Sequence, residues 1–330
     1  MIVPIESLRE LMFAACQAAS VPEDKAGCVV GHYLSGELRG RASHGVAKFC
    51  FEAQFFSERE GPPRIVREHG ALAVIDARRE IGPISAAYAV DVAVDKAGAL
   101  GAGVVGMINT QRYGILAQWS ERITEKGFIG IAMNTSRAEA TPYGGRTPFL
   151  GVNPLSFAVP TLDEPVVADM STTLAPMGAL WEARRNNGRL PVDCFVDAAG
   201  HFTDDPDIAR SAVVFGEHRG FAISLLVQVL TGSLFGFPMG PEVTDTWSTG
   251  YTFIALDPSF GGQVDESAEQ NSKLLHAIKG AAMRDGTPVR LPGQESKQRA
   301  DHALNAGVVH LDEAVYRRLQ ARAAGDFASD

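Results

Sequence analysis

The stretch from Asn134 to Gly178 constrains the fold most, because it joins a turn-rich segment to two short apolar runs. Asn134–Pro154 is dense in Gly, Pro, Asn and Thr, and it therefore predicts turns. Leu155–Val159 and Pro165–Met170 are short, apolar and bounded by Pro, Asp or Ser, so they predict two buried strands. Met170–Thr173 then closes the second strand with hydroxyl side chains, and loops at strand ends commonly bind ligands. The same pattern is equally typical of a structural connection in any α/β protein.

Helices are predicted at both ends of the chain and strands in between. Ile5–Ala18 has apolar residues at helical spacing, and Ser20–Glu23 matches a capping box that begins a second helix ending near Leu38. The other predicted helices are Val46–Glu60, Gly82–Lys96, Tyr113–Gly127, Phe221–Leu234, Leu274–Arg284 and Leu311–Ala324. The other predicted strands are Ala71–Ala77, Gly103–Asn109, Phe128–Asn134 and Thr252–Asp257. This order predicts an α/β (α+β) fold in which both chain ends pack together as one discontinuous domain.

Composition and charge exclude several classes of partner. The chain has 330 residues, 45% apolar and 21% charged, which is typical of a soluble globular protein of two or three domains. Its net charge of −9 argues against a nucleic-acid partner, because no basic stripe is present to release counterions. The most apolar run, Phe221–Phe237, is interrupted by Gln228, so it predicts a core helix rather than a membrane span.

The spacing of cysteine and histidine predicts no metal site. The four cysteines are scattered, and no Cys or His pair falls at zinc-ligand spacing. They are best explained as small buried apolar residues in a reducing compartment. The N-terminal sequence MIVPIESLRE has acids early and lacks the apolar segment of a signal peptide. Together these features predict a cytoplasmic protein.

Gly101–Gly106 matches the G-x-G-x-x-G pattern of dinucleotide-binding loops. That mechanism needs the glycines after a strand and at the start of a helix, so that the pyrophosphate meets the helix N-terminus. Here a predicted helix precedes the glycines and a predicted strand follows them. The pattern therefore predicts a tight helix-to-strand turn and not a Rossmann site.

Several blocks of sequence, in this order, resemble the malate/L-lactate dehydrogenase family of the second type. They are RGRASHGVAKF, GGRTPFLGVNPLSFAVP followed by VVADMST, and GEHRGFAISLLVQVLTG, and the resemblance extends to Leu291-Pro292-Gly293. Members of this family are nicotinamide-dependent 2-keto-acid and cyclic-imine reductases, including ureidoglycolate, sulfolactate and diketogulonate enzymes. The resemblance covers nearly the whole chain, but it does not select a substrate.

The resemblance also implies a domain organisation. It implies a non-Rossmann nicotinamide-binding domain on a largely antiparallel or mixed sheet, plus a helical domain formed by both chain ends. We expect residues 1–65 with 285–330 to form the helical domain, 66–135 a substrate-side α/β segment, and 136–284 the cofactor-binding sheet domain. The apolar helices and the family pattern together predict a homodimer.

His44 is the strongest candidate for proton transfer among the eight histidines. Reduction of a 2-oxo acid requires a proton donor beside the carbonyl oxygen, and a histidine with an ordinary pKa of about 6.5 suits that task. Ser43 can orient the ring, and Gly45 leaves room for a ligand. A surface histidine in a basic turn would have the same local sequence. The family's Ser-His-Gly motif, however, implies that His44 is the acid/base and that nearby cations bind the substrate carboxylate. Those cations are Arg39, Arg41 and Lys48.

Three positions depart from the family pattern, and a fourth matches it without a settled role. Lys48 stands where members commonly have Arg, and Arg112 stands where resemblance implies an active-site histidine. Glu139 falls near a position that is a substrate-binding lysine in some members. These changes are either neutral, or Glu139 attracts a cationic imine or amine while Arg112 binds the carboxylate. Asp197 matches a recurrent family aspartate, which either belongs with the catalytic residues or only stabilises its Asp-x-x-Gly turn.

The resemblance implies that three segments line NADH or NADPH. Short hydroxyl side chains and free N–H groups at the end of a strand suit ribose or phosphate oxygens. Gly144 and Gly145 are expected to let the backbone approach the ligand. The basic residues Arg184, Arg185 and Arg189 either bind a 2′-phosphate or form a solvated face, so the choice between NAD and NADP stays open. The three segments are Asp169-Met170-Ser171-Thr172, His218-Arg219-Gly220 and Gly293-Gln294-Glu295.

Three functions fit this sequence. The first is an NAD(P)H-dependent reductase of a small 2-oxo acid, which is reversibly a 2-hydroxy acid dehydrogenase. The second is a reductase of a cyclic ketimine or imino carboxylate that uses the same His44. The third is a repurposed member that binds a metabolite without turning it over. The changes at Lys48, Arg112 and Glu139 motivate the third function, and the intact Ser43-His44 pair argues against it.

Overall fold

A computed structural model of the chain describes residues 1–284 and 286–328. The helices within these residues are α1 (Ile5–Ala18), α2 (Glu23–Leu38), α3 (Val46–Glu52), α4 (Gly82–Leu100), α5 (Ala117–Thr124), α6 (Met177–Arg185), α7 (His218–Thr231), α8 (Val264–Lys279), α9 (Gln294–Ala306) and α10 (Glu313–Ala323). The strands are β1 (Ile2–Pro4), β2 (Arg64–His69), β3 (Leu72–Asp76), β4 (Ala102–Ile108), β5 (Ile129–Asn134), β6 (Ala140–Thr141), β7 (Leu155–Val159), β8 (Val166–Met170), β9 (Phe195–Val196), β10 (Ser211–Val213), β11 (Tyr251–Leu256) and β12 (Val308–His310).

The largest sheet has seven strands in the order β2-β3-β4-β11-β5-β7-β8. Only the β3–β4 pair is parallel, and the other pairs in this sheet are antiparallel. The smaller β6-β10-β9 sheet is also mixed. The expected largely antiparallel, mixed sheet without Rossmann topology is therefore confirmed.

The two ends of the chain share one helical core. β1 pairs antiparallel with β12, and apolar residues of α1, α2 and α3 pack in a single cluster with Val309, Leu311 and Leu319. Arg322 of α10 is fully buried, and its Nε donates to the carbonyl of Cys50 at 3.0 Å. These contacts confirm that both ends form the helical part of the fold. The residue boundaries proposed for the three domains stay predictions, and residues 285, 329 and 330 of those ranges lie outside the described part.

The two strands predicted at the centre of the chain are present and adjacent. β7 and β8 pair antiparallel at one edge of the large sheet, with Ser156 opposite Asp169. The hydroxyl of Ser156 donates to the carbonyl of Ala168 at 2.7 Å, and it also meets the hydroxyl of Ser120 at 2.7 Å. The sheet edge is thereby joined to α5, which covers it.

Some predicted helix limits are wrong, for local reasons. Ser20 is not the cap of α2, because it ends α1 in the left-handed conformation (φ 57°). The predicted helix Leu274–Arg284 is instead α8, which begins ten residues earlier at Val264 with a capping box formed by Gln263 and Glu266. Its first half is polar because little of α8 is buried, so apolar spacing gave no signal there.

The prediction that Phe221–Phe237 forms a buried core helix is wrong for one face of α7. The face of α7 that packs inward carries Ser224, Gln228 and Thr231, together with Val227. The amide of Asn153 donates to the hydroxyl of Ser224 and to the side-chain oxygen of Gln228, each at 3.0 Å. Apolar side chains lie on the opposite face, where Leu225, Leu226 and Val229 are 48%, 55% and 41% exposed. Within the described chain, α7 is therefore polar inside and apolar outside.

The G-x-G-x-x-G segment is the helix-to-strand turn that the sequence predicts. Gly101 ends α4 in the left-handed conformation (φ 82°), and β4 follows directly. A Cβ at Gly103 would overlap the backbone carbonyl of Ala93 in α4, whereas a Cβ at Gly101 would meet nothing within 4 Å. Gly103 is therefore required by the close approach of β4 to α4, and not by a nucleotide.

We expect Gly103→Ala to destabilise the protein by about 3 kcal/mol, because the backbone of α4 or β4 must shift to admit the methyl group. Gly101→Ala, in open space, should cost only roughly 1–2 kcal/mol for the left-handed conformation. Urea unfolding of both variants measures the difference. Neither variant should change the dissociation constant of NADH, and a selective loss of NADH binding in folded Gly103→Ala would revive the nucleotide-loop interpretation.

Candidate functional site

His44 lies in a tight turn between α2 and α3. Residues Ala42–His44 form a 3-10 turn, and the carboxylate of Glu37 accepts a hydrogen bond from the backbone N–H of Val46 at 2.9 Å. The space beside Gly45 is filled by Glu37, so no side chain fits at that position. Glu37 thus fixes the start of α3 and the path of the turn. Sequence reasoning missed Glu37, although an acid in the last turn of a helix opposes the helix dipole and is itself a signal.

The imidazole of His44 is half-buried and hydrogen-bonded to its neighbour. Its Nδ1 lies 2.9 Å from the hydroxyl of Ser43, as expected for a ring oriented by that serine. Burial, together with the smaller effect of the cations Lys48 and Arg41, lowers the pKa of His44 to about 4. His44 is therefore neutral at pH 7 in the protein without ligand.

The cations around His44 differ in how free they are to bind a ligand. Arg39 donates to both oxygens of Glu121, at 2.9 and 2.6 Å, and Lys48 pairs with the buried carboxylate of Glu52 at 2.6 Å. The guanidinium of Arg41 forms no hydrogen bond or ion pair with the described residues. Arg41 is thus available to an anionic ligand, whereas Arg39 and Lys48 already hold carboxylates of the chain.

A second turn, which carries Arg112, packs against the His44 turn. A Cβ at Gly114 would lie 2.5 Å from the carbonyl oxygen of His44, so the two turns are in direct contact. The Nη2 atom of Arg112 is buried and has no hydrogen-bond partner among the described residues. Burial raises the pKa of Glu139, and the nearby Arg112 and Arg137 partly offset that rise. Arg112 and Glu139 therefore interact electrostatically beside the His44 turn.

A narrow cleft of about 60 Å³ joins Arg41 to the end of β8 and the start of α9. Asp169 lines it, and the Oδ2 atom of Asp169 accepts the backbone N–H of Ala117 at 2.9 Å, which caps α5. Burial raises the pKa of Asp169. Gly293 has φ 75° and fits against the backbone of Val167, and Ser296 lies one turn further along α9. A larger cavity of about 330 Å³ adjoins this cleft through Arg39, Val167 and Gly293.

The loop after β8 is fixed by its own hydroxyl groups. Thr172 donates through Oγ1 to the carbonyl of Val152 at 3.0 Å, and Ser171 donates to the carbonyl of Thr173 at 3.1 Å. These hydroxyls therefore shape the loop, while the side chain of Met170 is exposed. The loop continues into α6, where a Cβ at Gly178 would lie 3.2 Å from the Cβ of Ser43. The chain that follows β8 and the His44 turn thus lie against each other.

Other predicted residues lie in two groups apart from this cleft. The rings of Tyr143 and His218 are 6.3 Å apart, which places the Gly144-Gly145 turn beside the first turn of α7. Arg219 is exposed there, and Gly220 fits beneath the carbonyl of Phe215. Asp197 accepts the N–H groups of Ala199 and His201, at 2.8 and 3.0 Å, and these bonds lower its pKa. No described contact joins these residues to His44.

Four of the remaining predicted residues have partners within the chain. The Oε1 atom of Gln294 accepts the N–H of Leu291 at 3.1 Å, and Glu295 pairs with Arg299 at 2.7 Å. Arg184 donates to the carbonyl of Pro206 at 3.0 Å, and Arg189 pairs with Asp204 at 3.3 Å. Among the described residues, no group of three or more His, Cys, Asp or Glu could hold a metal ion, and no helix is long and apolar enough to cross a membrane.

Comparison with known proteins identifies relatives along nearly the whole chain. The model of the malate/L-lactate dehydrogenase family matches residues 3–320. The malate/(S)-sulfolactate dehydrogenase of Methanothermus fervidus is 28% identical over 332 residues, which cover 97% of this chain and 96% of that protein. The NAD(+) ureidoglycolate dehydrogenase of Escherichia coli is 26% identical over 327 residues, with 95% and 93% covered. The structure of sulfolactate dehydrogenase from Methanocaldococcus jannaschii superposes with a TM-score of 0.89 at 27% identity, covering 98% of this chain and 97% of that one.

We expect the pKa of His44, measured by NMR titration of the ligand-free protein, to be about 4. Arg41→Gln should raise this pKa, because it removes one of the cations that disfavour the imidazolium. Arg317→Gln, which removes an exposed cation on α10, is the matched control and should leave the pKa unchanged. A wild-type midpoint near the ordinary value of about 6.5 would contradict the buried environment described above.

Proposed function

Because the chain belongs to the malate/L-lactate dehydrogenase family, we propose that it transfers hydride between a nicotinamide cofactor and a small 2-oxo acid, with His44 as the general acid/base. Membership makes the chain an NAD(P)-dependent oxidoreductase that uses NADH or NADPH. The observation that carries the proposal is the hydrogen-bonded Ser43–His44 pair beside the unpaired guanidinium of Arg41. His44 offers a proton-transfer group and Arg41 offers an anion-binding group, and both lie on one turn.

Each residue of the turn has a separate task in this proposal. Arg41 binds the substrate carboxylate, and Lys48 adds positive charge while it remains paired with Glu52. The substrate anion then raises the pKa of His44 from its low resting value, because an opposite charge nearby favours the imidazolium. His44 donates its proton to the carbonyl oxygen of the 2-oxo acid, and it accepts a proton in the reverse direction. Ser43 keeps the ring in place through Nδ1.

The polar residues of the narrow cleft suit one part of a nicotinamide dinucleotide, and the adjoining cavity of about 330 Å³ extends the space. When bound, this cofactor supplies the hydride that the protein itself lacks. A buried carboxylate and a hydroxyl suit its ribose hydroxyls. Asp169 and Ser296 provide these groups, and Gly293 lines the same cleft. We assign Met170, Arg219 and the Gly144-Gly145 turn to the same cofactor on the resemblance described above.

Reduction of a C=N bond is the second candidate function. Glu139 favours it, because a carboxylate near the substrate attracts a cationic imine nitrogen. The partnerless Nη2 of Arg112 is then the carboxylate-binding group. The proton-transfer role of His44 is the same in both reactions. They differ in the atom that receives the proton, and a substrate panel separates them.

A metabolite-binding member without turnover is the third candidate. Arg112 occupies a position where the family pattern has histidine, and an arginine cannot act as a general base. The hydrogen bond between Ser43 and His44 argues against this candidate, because a protein that only binds its ligand has no need of an oriented imidazole.

We expect His44→Asn to lower kcat by about 10²- to 10⁴-fold, since it removes the proton donor. The dissociation constant of NADH should stay unchanged. The measurement is the absorbance of reduced nicotinamide, with pyruvate, oxaloacetate and the cyclised product of lysine oxidation as substrates. His69→Asn, at an exposed position on β2, is the control and should retain wild-type kcat.

The wild-type substrate panel decides among the three functions. Turnover of the oxo acids alone supports the first function, and turnover of the cyclic imine alone supports the second. NADH binding without turnover of any of the three substrates supports the third function and contradicts the role of His44 in catalysis. Full activity of His44→Asn would likewise contradict that role.

The apolar outer face of α7 supports a homodimer, which we propose as the functional form. Leu225, Leu226 and Val229 form a contiguous exposed row, and patches of this kind are usually covered by a partner. A second copy is the simplest cover, because α7 also carries the proposed cofactor residues at its first turn. We propose a cytoplasmic location as well, since all four cysteines are free thiols.

We expect the wild-type protein to sediment as a dimer and Leu226→Asp to sediment as a monomer, because a carboxylate cannot be buried in an apolar interface without a large desolvation cost. Leu274→Asp is the matched control. Leu274 is 60% exposed on α8, compared with 55% for Leu226, and its substitution should leave the dimer intact. A monomeric wild-type protein at every concentration would contradict the proposed interface.

A further inference from the structure

His32 lies at the centre of a buried aromatic cluster beneath the His44 turn. It is fully buried on α2, and its ring stacks on Trp119 with centroids 5.1 Å apart and an interplanar angle of 20°. Its Nδ1 lies 2.8 Å from the side-chain oxygen of Gln118, and its Nε2 accepts the backbone N–H of Gly114 at 2.8 Å. Both ring nitrogens are therefore used within the protein.

These partners determine one protonation state for His32. A backbone N–H can only donate, so Nε2 must be the unprotonated nitrogen, and the proton lies on Nδ1 facing Gln118. In an imidazolium, the N–H of Nε2 would point at the N–H of Gly114, so two donors would face each other. Burial also lowers the pKa of His32 to about 3. The ring therefore stays neutral, in one tautomer, at any pH near neutrality, and its hydrogen bond to Gly114 persists there.

Gly114 in turn packs against the backbone of His44. A Cβ at Gly114 would lie 2.5 Å from the carbonyl oxygen of His44, and a Cβ at Gly36 of α2 would lie 2.6 Å from the same oxygen. The carbonyl of His44 is thus enclosed between two glycines, one of which is held by His32. Any displacement of Gly114 moves the surface on which the His44 turn rests.

The same segment carries Arg112. The hydroxyl of Tyr33, the residue that follows His32 on α2, donates to the carbonyl of Arg112 at 3.4 Å. Two adjacent residues of α2 therefore hold the segment at both ends, Tyr33 at Arg112 and His32 at Gly114. One helix fixes the backbone of Arg112 and, through Gly114, the backbone of His44.

We propose that His32 is a positioning residue. Through its hydrogen bond to Gly114 it fixes the positions of the His44 imidazole and of Arg112, so that both side chains contact the same substrate. The proposal rests on the assignment of His44 as the acid/base. His32 touches neither substrate nor cofactor in it, and acts only through Gly114.

The test compares His32→Leu, which removes the acceptor for Gly114, with His32→Gln, whose side-chain oxygen can replace Nε2. We expect His32→Leu to lower kcat by about 10- to 100-fold, because small misplacements of reacting groups have effects of that size. The KM for NADH should not change. His32→Gln should recover most of the lost kcat.

The pH profile is the second readout, and a merely structural role would not move it. In the oxidative direction His44 must be neutral, so the acidic limb of kcat/KM should lie near pH 4 in the wild-type protein. Loosening the turn in His32→Leu exposes His44 and raises its pKa, because burial is the main cause of the low value. The limb should therefore move upward, towards about 6.5.

If His32→Leu does not fold, Gly114→Ala takes its place, because it disturbs the same contact between His32 and Gly114 from the Gly114 side. It should reproduce the lower kcat and the shifted limb. Gly31→Ala is its matched control, since Gly31 lies on α2 with nothing within 4 Å of a Cβ, and it should behave as wild type.

Separate outcomes identify which proposal fails. If His44→Asn abolishes hydride transfer but folded His32→Leu and Gly114→Ala keep wild-type kcat and pH limb, the positioning role is overturned while the proposed function stands. If no substrate is turned over, the NMR titration of His44 replaces the kinetic readout. An unchanged pKa of His44 in both variants then overturns the positioning role.

Discussion

The packing of α2 across α4 and α5 is the interaction on which the candidate site depends. It joins the helical part of the fold to the large sheet through partly buried polar contacts, those of Arg39 with Glu121 and of His32 with Gln118. Buried ion pairs add little net stability, because desolvation offsets much of the Coulomb attraction. Their geometry is demanding, however, and an arginine that bonds both oxygens of one carboxylate admits few alternative positions of the helix. The position of α2 on α5 is therefore fixed, and the His44 turn that follows α2 is held near the end of β8.

The parts of this arrangement that sequence could predict are those with local causes. The His44 turn follows from the glycines and the cation at the end of α2, and β7 and β8 follow from short apolar runs between breakers. The long-range contacts had no such signal. Nothing in the sequence around Asp169 indicates that its carboxylate caps α5, fifty-two residues earlier in the chain. The contact of Gly293 with Val167 is equally distant in sequence, as is that of Gly114 with His44.

α7 illustrates a different limit of sequence reasoning. A continuous apolar run predicts a helix that is buried all round, and the sequence offers no reason to distinguish its faces. In the fold, however, Asn153 needs acceptors, and Ser224 and Gln228 supply them from the inward face. The leucines are then left on the outside. The apolar run was thus a correct signal of a helix, and in the proposed dimer the outer leucines are buried by a second copy of the chain.

The electrostatics of the ligand-free site indicate what its ligand must provide. A buried donor without a partner costs about 1–3 kcal/mol, and the Nη2 atom of Arg112 is such a donor among the described residues. Arg41 is exposed, and His44 is held neutral by burial and by its cationic neighbours. An anionic ligand would relieve the buried donor of Arg112 by accepting its hydrogen bond, and it would raise the pKa of His44. In the proposed function, binding of the substrate carboxylate and protonation of His44 are coupled, since each makes the other more favourable. In the proposed reaction, this coupling lets a histidine with so low a resting pKa supply a proton near neutral pH, because its pKa rises only when the substrate is bound beside it.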